Sequence, residues 1–261
     1  MLRALRTAAL GMAAQQLNVD TIANNLANVN TNGFKKSSVE FQDLLYETVQ
    51  SGQASRETNS KPSEIQIGHG NRPVSTFKTF SQGSVQETGN PLDISIQGKG
   101  FFQVQRIDGS YGYTRDGALR IDANGSLVTA SGLRIQPEVS IPEGVSGINI
   151  SQDGIISVIF QGQSEPEEVG QLELVTFMNP AGLRAIGGNL YEATESSGQP
   201  SYGTPGEDGY GTVLQGYLEK SNVDVVQEMI NLIVSQRAYE INSKAVKTSD
   251  ELLALTNNIK R

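Results

Sequence analysis

Residues 222–259 read NVDVVQEMINLIVSQRAYEINSKAVKTSDELLALTNNI. Val223, Val226, Ile230 and Ile233 form one apolar seam. After a one-residue shift, Val234, Ala238, Ile241, Ala245, Thr248, Leu252, Leu255 and Ile259 continue it by alternating steps of four and three. This spacing predicts an amphipathic helix, with Ser221 or Asn222 as cap and Asp224 in the first turn. At ~1.5 Å per residue it would run roughly 55 Å. No short globular core needs a helix that long.

The opposite end has the same character. Leu2, Leu5, Ala9, Met12, Gln16, Val19, Ala23 and Leu26 step by three and four, with Gly11 the only Gly or Pro before Asn32. Falling helix propensity through Asn24, Asn25, Asn28, Asn30 and Asn32, then Gly33, predicts a helix over about 2–28. Residues 1–36 are net +3, 37–216 net −11 and 217–261 neutral. The two ends therefore differ in kind from the middle.

The middle reads as strand and turn. Asp108-Gly109, Asp116-Gly117, Asn124-Gly125 and Ser131-Gly132 recur every seven or eight residues. Such dipeptides favour hairpins because both central residues of a type I′ turn need positive φ. Short β-compatible segments lie at 92–96, 101–104, 133–135, 147–151, 155–160 and 170–178, which predicts an antiparallel sandwich or barrel-like domain. The fold expected is α+β. Residues 1–33 and 216–261 form a coiled-coil-like helical domain, and 34–81 connect it to a mainly antiparallel β-domain at 82–194. Residues 195–215, rich in Gly and Pro, return the chain to the last helix. The polar stretch 46–72 is an extended arm or hairpin, with a disordered loop equally compatible with its composition.

Composition excludes several chemistries. The 261 residues carry 20 Lys and Arg against 28 Asp and Glu, a net charge of −8, with no Cys and one His. Thiol nucleophiles, disulfides and Cys-ligated zinc are excluded. His69 sits in a Gly-flanked loop with no G-x-S-x-G elbow anywhere. Gly98-Lys-Gly100 precedes two Phe and no helix start, so it does not cradle phosphate. Asp108, Asp116 and Asp122 lack calcium-loop spacing, and Glu167-Glu168 reads as a solvated face. The acidic balance argues against nucleic acid. No apolar run approaches the ~18 residues of a membrane span, which argues against membrane insertion. The N-terminal basic and apolar stretch continues with helical spacing and lacks a clear cleavage site, so it is expected to be mature structure. No catalytic, cofactor-binding or metal site is expected.

Two motifs carry a resemblance. Ala23-Asn-Asn-Leu-Ala-Asn-Val-Asn-Thr-Asn-Gly-Phe-Lys35 resembles the N-terminal signature of bacterial flagellar rod and hook proteins, with Asn24, Asn25, Leu26, Asn28, Gly33 and Phe34 at its matching positions. Ser221-Asn-Val-Asp224 and Gln236-Arg-Ala-Tyr-Glu-Ile-Asn242 resemble the C-terminal signature through Asn222, Val223, Gln236, Arg237, Ala238 and Tyr239. Between them, Phe41–Tyr46, Gln66–Gly68 with Arg72–Val74, Gly100–Val104, Tyr113–Gly117 and Gly216-Tyr217 are similar to the distal-rod branch. Asn30 departs from the pattern, where a Ser commonly follows the Val.

The resemblance implies a structural, non-enzymatic subunit of a helical homopolymer, the drive shaft of the flagellar motor. It implies terminal helices lining an inner tube around an export channel, so Leu5, Met12, Val19, Leu26, Val226, Ile230, Ile233, Ile241, Leu252 and Leu255 are the expected assembly residues. The seams would be buried against each other and against neighbouring copies, and the 46–72 arm would brace subunits lengthwise. The implied partners are other copies, the proximal rod, hook and hook–rod junction proteins, the peptidoglycan and lipopolysaccharide ring proteins, and the flagellar type III export apparatus. The implied location is the distal rod of the basal body, from periplasm to outer membrane, reached without a cleaved signal peptide. The alternatives are a proximal rod paralogue, and a monomeric extracytoplasmic β-domain that binds or cleaves glycan through its carboxylates.

Overall fold

The computed structural model describes residues 2–50, 65–162 and 165–259. The fold is α+β: α1 (Leu2–Ala27) and α2 (Val225–Ile259) flank a mainly antiparallel β-region. Contacts divide the chain into two units, one of residues 1–26, 37–77 and 225–261, the other of 27–36 and 78–224.

In the first unit the two helices accompany two β-ribbons. Ser37–Asp43 pairs with Asn71–Lys78, and Tyr46–Gln50 pairs antiparallel with Ile65–Gly68. The second ribbon gives the expected arm the stem of a hairpin. Residues 51–64, the rest of the arm, lie outside the described residues.

The second unit holds a seven-stranded antiparallel sheet in the order Arg184–Gly187, Leu190–Glu192, Tyr111–Thr114, Phe102–Gln105, Arg134–Gln136, Leu127–Thr129, Leu119–Ile121. A three-stranded sheet of Val145–Ile150, Ile155–Phe160 and Glu167–Gln171 accompanies it. The expected strand at 170–178 is two strands, because Leu172 and Glu173 separate Glu167–Gln171 from Leu174–Thr176. The expected return loop also carries β-structure. Ser201–Gly203 pairs with Leu174–Thr176, and Thr212–Gln215 pairs with Ile94–Gln97. Gly and Pro marked the bends there and hid the strands between them.

Alternation along the strands builds two cores. Successive strand residues face opposite ways, so Phe101 and Phe102 part company. Phe102 enters the main aliphatic core with Ile94, Ile96, Val104, Ile156 and Leu174. Phe101 joins Tyr113, Phe177 and Tyr191 in an aromatic cluster of edge-to-face contacts.

The turns form by a different geometry from the one expected. At 106–110, the Arg106 amide donates to the Ser110 carbonyl and the Gly109 amide to the Arg106 carbonyl. The same pair of bonds closes 122–126, 129–133 and 151–155. Only the Gly of each dipeptide has positive φ. These are type I turns with a Gly bulge, which need one left-handed residue where type I′ needs two. Asp116-Gly117 closes no hairpin. Gly117 is needed there for close approach, since a Cβ would lie 1.6 Å from the Ile94 carbonyl oxygen.

Candidate assembly surface

Burial along α2 repeats at Glu228, Asn231, Ser235, Ala238, Asn242, Val246, Ser249 and Leu253. These steps of three and four mark a face that is largely polar or small. The α1 face that meets it has the same character. Asn18 Nδ2 donates to Ser235 Oγ at 2.8 Å, and Asn25 Nδ2 donates to Glu228 Oε2 at 3.4 Å. A Cβ on Gly11 would lie 2.8 Å from Asn242 Nδ2. Gly11, Asn18 and Asn25 thus ascend by sevens while Asn242, Ser235 and Glu228 descend by sevens. The two helices run antiparallel in one fixed register. Asn25 also clamps the chain beyond α1, donating to the Ser37 carbonyl at 2.8 Å and accepting from the Ser37 amide at 2.9 Å.

This contact differs from the expected one. The apolar seams do not zip the helices together within the chain. The expected assembly residues of α2 turn outward: Val226 is 68% exposed, Ile233 57%, Ile241 65% and Leu255 58%, with Ile230 and Leu252 close behind. Leu5, Met12, Val19 and Leu26 are half-buried on α1, whose buried side chains are Ala8, Ala14, Ile22 and Asn25. The physical reason is that heptad spacing identifies an apolar stripe but not its partner, while Asn and Ser side chains join the helices by hydrogen bonds on another face. The apolar stripe on α2 is therefore exposed along much of the helix.

The remaining motif residues are divided between surface and interior. Asn24, Gln236, Arg237 and Tyr239 are exposed, Asn28 and Ala238 half-buried, and Gly33, Phe34 and Val223 buried. Asn222 was expected to cap α2, but the helix starts at Val225. Its side chain accepts from the Lys36 amide at 2.8 Å and donates to the Thr79 carbonyl at 2.8 Å, so it fastens the two connecting strands of chain to each other. Gly33 has φ +66°, and a Cβ there would meet the Arg115 backbone at 2.7 Å.

A buried charge cluster escaped the sequence reading. Lys35 Nζ lies 2.6 Å from Glu219 Oε1, and Arg115 Nε lies 2.8 Å from Glu219 Oε2, with the three side chains at most 4% exposed. Arg115 also donates to the carbonyls of Ile96, Gly98 and Gly100, and Lys35 to that of Ser81. Burial holds the Lys35 pKa below its ordinary value, with Glu219 opposing that shift. Buried polar groups persist only when so fully satisfied. The cluster fixes the segment after α1 to the one before α2, and brings two of the quoted motifs to one point through Lys35 and Arg115. Charged residues are read as surface by default.

Among the described residues no group of three or more His, Cys, Asp or Glu could hold a metal ion, and no helix is long and apolar enough to cross a membrane.

Three family models match the chain. Residues 5–35 match the flagella basal body rod protein model, 95–158 the flagellar hook protein FlgE/F/G D1 domain, and 214–259 the flagellar basal body rod FlgEFG protein C-terminal model. The chain is 50% identical to the flagellar basal-body rod protein FlgG of Borreliella burgdorferi, over 100% of both chains. It is 50% identical to FlgG of Buchnera aphidicola subsp. Schizaphis graminum, over 97% of this chain and 98% of that one, and 45% identical to FlgG of Caulobacter vibrioides, over 99% and 100%. The outer matches fall on the two helices and their junctions with the β-region, and the central one falls within the β-region. The chain therefore belongs to the FlgG family of flagellar basal-body rod proteins.

Proposed function

We propose that the chain is a structural subunit that polymerises with copies of itself into the distal rod of the basal body, a stiff helical shaft that carries torque to the hook and encloses the export channel. The observation that carries this reading is the outward apolar face of α2. The described residues leave this face exposed, and the matching stripe of another copy would cover it. Burial of one such side chain contributes about 1.5–3 kcal/mol, so repeated contacts of this kind suffice to drive assembly. The polar pairing of α1 with α2 suits this role, because it orders the helices without consuming the apolar face of α2.

The same reading names the partners. The shaft ends would meet the proximal rod and the hook with its junction proteins, and the shaft would turn inside the peptidoglycan and lipopolysaccharide rings. Delivery would be through the flagellar type III export apparatus. The acidic β-region would give the shaft a polar outer layer. The chemistry is assembly and not catalysis.

The test is Ile230→Asp, expressed in a strain lacking its own copy. A carboxylate in the covered stripe would be desolvated without a partner, at a cost of several kcal/mol. The variant should retain the wild-type melting of the β-region and assemble no distal rod, as seen in electron micrographs of isolated basal bodies. Rods of normal length would refute the role of this face.

A further inference from the structure

The polar stripe between the helices leaves one charge without an opposite. Glu228 is 5% exposed, and it lines a cleft of about 200 Å³ bounded by α1, α2 and the Ser37–Asp43 strand. Its side-chain partner is the neutral Asn25 amide at 3.4 Å, and among the described residues no basic group lies in ion-pair range of it. Glu228 stands in the first turn of α2, where the helix dipole favours a negative charge, but no full counter-charge offsets its withdrawal from water.

The outer face of α2 shows the converse. Ile233, Arg237 and Ile241 follow at steps of four, so a guanidinium interrupts the apolar stripe. The Arg237 side chain is 74% exposed and its ion pair with Glu240, at 3.0 Å, is itself exposed, which makes it weak. Covering the stripe would bury Arg237. Nine residues separate Glu228 from Arg237, about two and a half turns, so they point to opposite sides of α2. One copy cannot pair them, but two copies can.

We propose that the cleft is a socket for the Arg237 guanidinium of a second copy, with Glu228 accepting its N–H groups. The inference rests on the self-assembly reading and says which surfaces mate. The planar N–H fork of arginine suits a socket lined by a carboxylate and by the side-chain oxygens of Asn18 and Ser235. The contact is heterologous, because the surface that offers arginine is not the one that receives it. Such contacts repeat into open helical polymers instead of closing as a two-fold dimer. The buried carboxylate and the stranded arginine then have one common explanation.

The chain has no cysteine, so single cysteines report cleanly. Copies bearing Glu228→Cys and copies bearing Arg237→Cys are produced together in a strain lacking the native copy, and isolated rods are treated with a mild oxidant. Covalent dimers should form in mixed rods, and at least tenfold fewer in rods built from either variant alone. Dimer yields no higher in the mixture would overturn the pairing, as would preferential capture of Glu228→Cys by Lys244→Cys. Should the cysteine variants build no rods, charge reversal decides. Glu228→Arg and Arg237→Glu should each cut the number of rods at least tenfold, and the double variant should recover most of them. A double variant as defective as the singles would overturn the proposal while leaving self-assembly standing. Failure of the wild-type chain to build rods would instead refute the self-assembly reading.

Discussion

Lys35, Arg115 and Glu219 occupy the place where an apolar residue would be the simpler choice. Glu219 receives Lys35, Arg115 and the Gly83 amide, the last at 2.9 Å. Glu219→Gln keeps the shape but strands two cations, so it should cost about 3–5 kcal/mol of stability, measured as the shift in a denaturant midpoint at unchanged m-value. A change below about 1 kcal/mol would mean that the cluster is incidental to the fold. Burial also raises the phenol pKa values of Tyr113 and Tyr191 well above the ordinary tyrosine range. A group with its folded pKa raised binds more protons folded than unfolded in that window, so stability must fall as pH rises above about 10. Tyr191→Phe should flatten this alkaline loss in melting curves taken across pH 9–11. An unchanged alkaline slope would count against a buried phenol at this position.

At the scale of elements, both helices were legible from apolar spacing to within three residues at the ends, because seven consistent steps outweigh any local propensity. Their mutual orientation was not. Apolar residues announce themselves by period, whereas the joining stripe of Gly11, Asn18 and Asn25 with Asn242, Ser235 and Glu228 is hidden among ordinary polar residues. Three of the four Gly dipeptides did mark hairpins; the fourth, Asp116-Gly117, shows that glycine also serves close backbone approach, which a dipeptide cannot distinguish. Asn25 was read as weakening the end of α1 and Asn222, with Ser221, as a cap for α2, besides the resemblance; their role as clamps depends on other chain segments. The arm belongs to this scale too. Its described stem is the Tyr46–Gln50 and Ile65–Gly68 ribbon, where Tyr46 is 57% exposed. If the arm braces neighbours lengthwise, deleting residues 51–64 should leave the melting of the isolated chain unchanged and yield rods that bend in electron micrographs. Rods as straight as wild type would remove the bracing role.

At the scale of the whole molecule, the β-region has cores of its own, whereas α2 keeps an apolar face exposed. The family assignment and the outward stripe lead to the same claim: the outer face of α2 is water-exposed in a single chain and covered by other copies in the rod. The absence of cysteine makes this measurable in one experiment. Cysteine is placed singly at Ile233 or Ile241 on the outer face, and at Ile107, which is 99% exposed in the β-region, as a reference. Each variant is treated with a maleimide as free chain and as isolated rods. The account predicts that all three label at similar rates in the free chain, and that Ile233→Cys and Ile241→Cys slow at least tenfold in rods relative to Ile107→Cys. Equal labelling of the outer-face cysteines in rods and in free chain would contradict it.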